Sequence, residues 1–206
     1  MTTTKKLVVA VVALSLALVT VVGATLAFLF AESKEVVNTF TVGNIEIDLN
    51  ETDVDNDDDT KANSYKVVPG TTVDKDPTVT VEANSENCYV YVKVTNNLVI
   101  DGNTVASYTP NEGWILVGTS KDANGVVTNL YRYNTVVELR NTDQDLTPVF
   151  SKVTYAAEGI TLKNIDDLED KTIVIKAYAH QSANVDQSQA DGFARTWAGV
   201  GVVSNP

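Results

Sequence analysis

The run Tyr89-Val90-Tyr91-Val92-Lys93-Val94-Thr95 alternates with a period of two, and that alternation confines this part of the chain to a strand. It places Val90, Val92 and Val94 on one face and Tyr89, Tyr91 and Lys93 on the other, the pattern of a half-covered sheet. Thr78 to Val81 repeats it, with Val79, Val81 and Ala83 on one side. In Thr172 to His180, Ile173, Ile175, Ala177 and Ala179 oppose Val174, Lys176 and Tyr178. Shorter strand candidates are Ser64 to Val68, Trp114 to Thr119, Val126 to Tyr133, Thr135 to Leu139 and Pro148 to Tyr155. Turn chemistry falls between them. Pro69-Gly70 suits the centre of a type II turn, and Asp101-Gly102 and Asn124-Gly125 are hairpin pairs. Helical patterns occur late, at Ile165 to Leu168 and Gln187 to Trp197, each read as a turn or two packed on a sheet end. The expectation is an all-β antiparallel sandwich with one or two short helices.

Ahead of the strands the chain has a different character. Lys5 and Lys6 precede Leu7 to Ala31, a stretch without charge, which matches the n-region and h-region of a secretory signal helix. Thr25-Leu26-Ala27 puts small residues at both recognition positions of a signal peptidase, so the cut is expected after Ala27. The run also reaches the ~20 residues that span a bilayer, and an uncleaved anchor extending to about Ala31 is the alternative. Beyond it, Phe40 and Val42 share one parity while Ile45, Ile47 and Leu49 share the other. An apolar face cannot change sides of a straight strand, so a bulge or hinge is expected at Gly43. The chain therefore divides into a signal peptide (1–27), an N-terminal tail (28–43) and a single β domain (44–206).

Composition narrows the partners. A formal net charge of -12 disfavours nucleic acid, whose phosphates it repels. The single cysteine, Cys88, permits no intrachain disulfide and reads as a small buried hydrophobe. Asp53, Asp55, Asp57 and Asp59 have the alternate spacing that opens a calcium loop. Asp58 and Ser64 stand where the loop glycine and closing glutamate belong, so calcium is at most a weak ligand and no other cofactor is expected. His180 is the only histidine; no zinc-protease helix, GxSxG elbow or phosphate-binding glycine loop accompanies it, and no catalytic residue is assigned. Trp114 and Trp197 read as core anchors.

Several segments together resemble one family: the leader ending "GATLAFLF", the following "TFTVGNIEIDL", the block "VVPGTTVDKDPTVTVEANSENCYVYVKVTNN", and the late "AYAHQ" and "ADGFARTWAGV". In that order they are similar to the TasA/camelysin family of secreted β-sandwich proteins from Gram-positive bacteria, processed by a dedicated signal peptidase. The resemblance implies a jelly-roll domain and assembly into extracellular biofilm fibres in which one subunit's N-terminal segment acts as donor strand to the next. It also brings a metallopeptidase label, for which this chain offers no zinc motif. Residues Ser182 to Ser188 lie between "AYAHQ" and "QADGF", where relatives run on directly.

After cleavage, Phe28, Leu29, Phe30, Val36, Val37 and Phe40 would lead the mature chain. Burying one such side chain is worth roughly 1.5–3 kcal/mol, and addition to a neighbour's open sheet edge would bury several at once. A head-to-tail contact of that kind does not close, so it propagates. The expectation is a secreted fibre or matrix subunit at the cell surface of a Gram-positive-type bacterium. Its partners are other copies of itself, a signal peptidase and other matrix or surface proteins. A cell-surface metallopeptidase and a membrane-tethered adhesin are the alternatives.

Overall fold

A computed structural model of the chain describes Thr3, Lys5 and residues 43–55, 61 and 63–203. They belong, apart from Thr3 and Lys5, to Val42–Pro206, the second of two compact units into which the chain divides. Apart from Thr3 and Lys5, the expected signal helix lies outside the described residues, as do Ala27, Phe28, Leu29, Phe30, Val36, Val37, Phe40, Asp57 and Asp59.

The described residues are predominantly antiparallel β-structure with one α-helix. One sheet has the order β12 (Ile173–Gln181), β4 (Cys88–Asn96), β9 (Val127–Tyr133), β8 (Trp114–Lys121). The second is built on two interrupted strands. β2 (Thr72–Asp74) and β3 (Thr78–Val81) run along β11 (Lys152–Tyr155) and β10 (Gln144–Asp145), with β1 (Ile47–Asn50) beyond β3 and β7 (Ala106–Tyr108) beyond β11. β5 (Val99–Ile100) and β6 (Asn103–Thr104) form a hairpin of their own.

Prolines explain the interruption. Pro77 and Pro148 lack the N–H that a ladder needs. Pairing nonetheless continues through the gap, with Leu146 N donating to Val79 O, Val149 N to Pro77 O and Lys75 N to Ser151 O. Leu146 to Val149 carries one residue more than the facing Pro77 to Val79, which is a β-bulge at Thr147-Pro148. The carbonyls freed there are taken from the side: Trp114 Nε1 donates to Thr147 O at 2.8 Å and Asn111 Nδ2 to Pro148 O at 2.9 Å. Trp114 is thus a core anchor with a polar duty.

The inner faces share one core. Val90, Val92 and Val94 of β4 meet Val79 and Val81 of β3, Val153 and Tyr155 of β11, and Phe150, all buried. Ile45, Ile47 and Leu49 pack on this cluster from one side. Cys88 is wholly buried, and burial pushes its thiol up to about 11.

The outer face of β4 departs from expectation. Tyr91 is not half-covered but fully buried, because α1 (Gln187–Ala198) lies across the sheet face instead of capping its end. Ala190, Ala194 and Ala198 recur every four residues and form the stripe that packs against Tyr91 and Leu130. The residues that separate "AYAHQ" from "QADGF" supply the helix start. Asp186 accepts from Gln189 N at 2.9 Å while the Gln189 side chain accepts from Asp186 N at 3.1 Å, a capping box, and Gly199 ends the helix at φ 70. The short helical stretch at Ile165–Leu168 is a 3-10 turn.

Two expected strands form no ladder. In Ser64 to Val68 the alternation is real, since Tyr65 and Val67 are half-buried between the exposed Ser64, Lys66 and Val68, but no described strand pairs with it. Thr135 to Leu139 contributes only the bridge between Val137 and Cys88. Of the expected turns, Gly70 has φ 76 with Thr71 N bonded to Val68 O, and Asp101 and Gly102 have φ 51 and 74 in the β5–β6 hairpin. Gly125, at φ 91, lies so close to that hairpin that an added Cβ would come within 2.3 Å of Gly102 O. Gly125→Ala is therefore expected to cost about 1–3 kcal/mol, from strain and backbone clash. Gly102→Ala, where a Cβ would meet nothing within 4 Å, is expected to cost less. Thermal melts of the two variants compare them.

Candidate functional site: an open sheet edge

β12 is long and, among the described strands, paired on one side only. Its nine residues are in register with β4 from Ile173↔Asn96 to Gln181↔Cys88, and no described strand pairs with its other edge. β1 likewise pairs with β3 alone. The two strands are neighbours, yet no ladder joins them.

Their side chains record the same gap. Ile173, Ile175, Ala177 and Ala179 point inward as the alternation predicts but are only half-buried, as are Ile47 and Leu49, while Val90, Val92 and Val94 on the adjacent strand are fully buried. A groove of about 530 Å³ opens along this seam, with Leu49, Val67, Val73, Val153, Tyr155 and Ile175 in its lining. Burial raises the phenol pKa values of Tyr65 and Tyr155; for Tyr65 nearby Glu51 and Asp76 add to it. The Tyr65 hydroxyl is buried with no hydrogen-bond partner. The arrangement offers apolar surface beside strand backbone that no described strand pairs, which suits an extended peptide better than a small polar substrate.

The remaining candidate residues lie elsewhere or apart. Gly43 is exposed, and an added Cβ would approach Glu86 Cγ to 2.9 Å. Glu86 N donates to Asn44 O and Glu82 N to Glu46 O, so the backbone pairing of β1 reaches back nearly to Gly43. Of the aspartates, Asp53 Oδ1 accepts from Asp55 N, and Asp55 Oδ2 accepts from Ser64 N while its Oδ1 is buried without a partner. His180 stacks flat on Phe193 of α1, centroids 5.0 Å apart and planes 2° from parallel. Among the described residues no three or more His, Cys, Asp or Glu side chains are grouped to hold a metal ion. Nor is any helix there long and apolar enough to cross a membrane. The seam itself was not foreseen from sequence. Its signal was a strand pattern, Ile173 to Ala179, as apolar on its inner face as that of a central strand. What no pattern reveals is which edge lacks a partner.

Compared with family models, curated proteins and solved structures, the chain matches none.

Proposed function

We propose that the protein is a secreted structural subunit of an extracellular fibre or biofilm matrix. Each copy, cut after Ala27, donates residues 28–42 to the open β12 edge of the next. The observation that carries this reading is the edge of β12 that no described strand pairs, with its half-buried inner face beside the edge of β1 that likewise has no described partner. The donated segment is longer than the nine residues of β12, and Val36, Val37, Thr39, Phe40, Thr41 and Val42 give it a strongly β-favouring end. It enters the domain directly at Gly43, so a segment pairing with a neighbour leaves its parent near β1, and the contact repeats head to tail.

The same reading takes the domain as a jelly-roll-like β-sandwich. β4 pairs with β9, and outside them β2–β3 pair with β10–β11, as nested pairs do when a long hairpin is rolled. The next pair outward is β1 with β12, the two strands that lack a ladder between them. Secretion through a signal peptidase and location in the matrix or at the cell surface follow as parts of the proposal.

Electron microscopy of two purified chains tests it. The chain beginning at Phe28 is expected to form filaments, and the chain beginning at Asn44 to remain monomeric. A synthetic peptide of residues 28–42 is expected to slow amide exchange along Ile173–Gln181 in the shorter chain. Filaments formed equally well by the shorter chain, or a tail held on its own domain in a permanently monomeric longer chain, would rule the reading out.

A further inference from the structure

One wall of the groove contains a carboxylate in contact with both an amine and a carboxamide. Lys75 Nζ lies 2.7 Å from both Oε1 and Oε2 of Glu51, and the two side chains are only 10% and 11% exposed. Asn63 Nδ2 donates to the same Oε2 at 3.3 Å and to Thr52 O at 3.1 Å. Asn63 Oδ1 accepts from Val54 N at 2.8 Å. The Tyr65 ring closes the site, its centroid 5.3 Å from the Lys75 nitrogen. We propose that Lys75 and Asn63 become joined by an intramolecular isopeptide bond, formed by the folded domain itself with Glu51 as proton carrier.

Glu51 touches both reacting side chains, as a proton carrier between them must. Glu51 takes one proton from the Lys75 ammonium, leaving a neutral amine on the carboxyl that also contacts the carboxamide. Nζ attacks Asn63 Cγ, a C–N bond forms, and negative charge gathers on Oδ1, where the Val54 N–H already donates. Nζ then loses a second proton through Glu51 to Nδ2, which Glu51 already contacts. The Cγ–Nδ2 bond breaks, and ammonia leaves. It takes the remaining proton from Glu51 and departs as ammonium, so Glu51 returns to the carboxylate. A primary amide and an amine become a secondary amide and ammonia, with no change of oxidation state and no co-reactant.

The location gives the bond a purpose. Asn63 heads the extended segment that has a strand's alternation but no ladder, and Lys75 directly follows β2. The bond would fasten that segment to the sheet in a chain whose only cysteine, Cys88, cannot form an internal disulfide. It is independent of the proposed assembly, because all three side chains belong to one copy.

Intact-mass spectrometry of the folded protein decides the matter. The expected mass is lower than the sequence mass by one ammonia, and trypsin is expected to release a branched peptide joining residues 62–66 to 67–93, uncut at Lys75. Glu51→Gln and Lys75→Arg are expected to restore the full mass. Asn63→Ala, which leaves the Lys75–Glu51 pair in place, serves as a third variant should either of those fail to fold by circular dichroism. A folded wild-type protein that keeps its full mass and is cleaved at Lys75 overturns the proposal and leaves an ordinary ion pair. The reduced mass persisting in Glu51→Gln overturns the role given to Glu51.

Discussion

Arg132→Met is expected to destabilise the folded domain by about 3–5 kcal/mol, because it strands a carboxylate that the fold has withdrawn from water. Arg132 of β9 and Asp191 of α1 are 7% and 14% exposed, and Arg132 Nη1 donates to Asp191 Oδ1 at 2.9 Å and Oδ2 at 2.7 Å. Tyr91 donates its hydroxyl to Asp191 Oδ1 at 2.8 Å. With its amide oxygen turned toward the guanidinium, Gln187 accepts from Nη1 and Nη2 at 3.1 and 2.9 Å. One helix is thereby tied to two strands at the place where Ala190 and Ala194 press on Tyr91 and Leu130. Removing either charge alone leaves the other desolvated and unpaired. Asp191→Leu should therefore cost about as much as Arg132→Met, while the double variant should recover most of the loss, as buried pairs replaced together usually do. Chemical denaturation of the three variants measures the coupling. Purely additive losses would mean that the pair contributes through packing and not through charge. Since a domain of this size is stable by only about 5–15 kcal/mol, either single change removes a large share.

This network marks where the sequence stops being readable. The strands Val90–Val94 and Ile173–Ala179 were legible because alternation is a local property of the chain. Gly70 and Gly102 were legible because left-handed backbone has a residue preference. Arg132, by contrast, looks like a solvent-facing charge on a strand. It is buried because a helix more than fifty residues later, tied to it through Asp191 (59 positions on), lands over it. The position of α1 along the chain was legible in Gln187 to Trp197, but the sequence reading of a turn or two fell short of its 12 residues, and its place on the sheet face was not legible, since an alanine stripe fits any close surface. Ser64 to Val68 fails for the converse reason: its alternation reports burial on one side, which a groove wall provides as well as a ladder does. The open seam is the extreme case. That Ile173 and Ile175 face inward can be read from their spacing, but that no described strand continues their sheet depends on pairings between distant segments.

Pairing between distant segments explains the rest. β2–β3 and β10–β11 lie about seventy residues apart, and nothing local announces that they run together past a proline on each side. The bulge that reconciles Pro77 with Pro148 is held by Trp114 and Asn111, which come from the chain that leads into β8. Trp114 was read as a core anchor on size alone; the hydrogen bond from its indole to Thr147 O is what the size leaves out.

Phe150 sits just beyond that bulge, and Phe150→Ala is expected to cost about 3–5 kcal/mol. The side chain is fully buried, and its ring stacks on Tyr108 of the edge strand β7 with centroids 4.5 Å apart. Tyr108 in turn meets Tyr131 of β9 edge-on at 6.3 Å and receives a hydrogen bond from Asn129 Nδ2 at 3.1 Å. Phe150 therefore backs the one aromatic contact that ties the β7 edge of the second sheet to β9 of the first. Truncation removes its transfer energy and leaves a cavity that neither sheet can close, because Val149 on one side is ladder-bonded to Pro77 and Val153 on the other to β2 and β7. Phe150→Leu, which keeps much of the volume, is expected to lose on the order of 1–2 kcal/mol, mostly the stacking and part of the contact area. The local consequence distinguishes a packing role from general damage. Amides of Ala106–Tyr108 are expected to exchange faster in Phe150→Ala under native conditions, while those of Cys88–Asn96 and Ile173–Gln181 slow or quicken only with global stability. Uniform acceleration across all of these strands would mean that Phe150 supports the core as a whole and has no particular hold on the β7 edge.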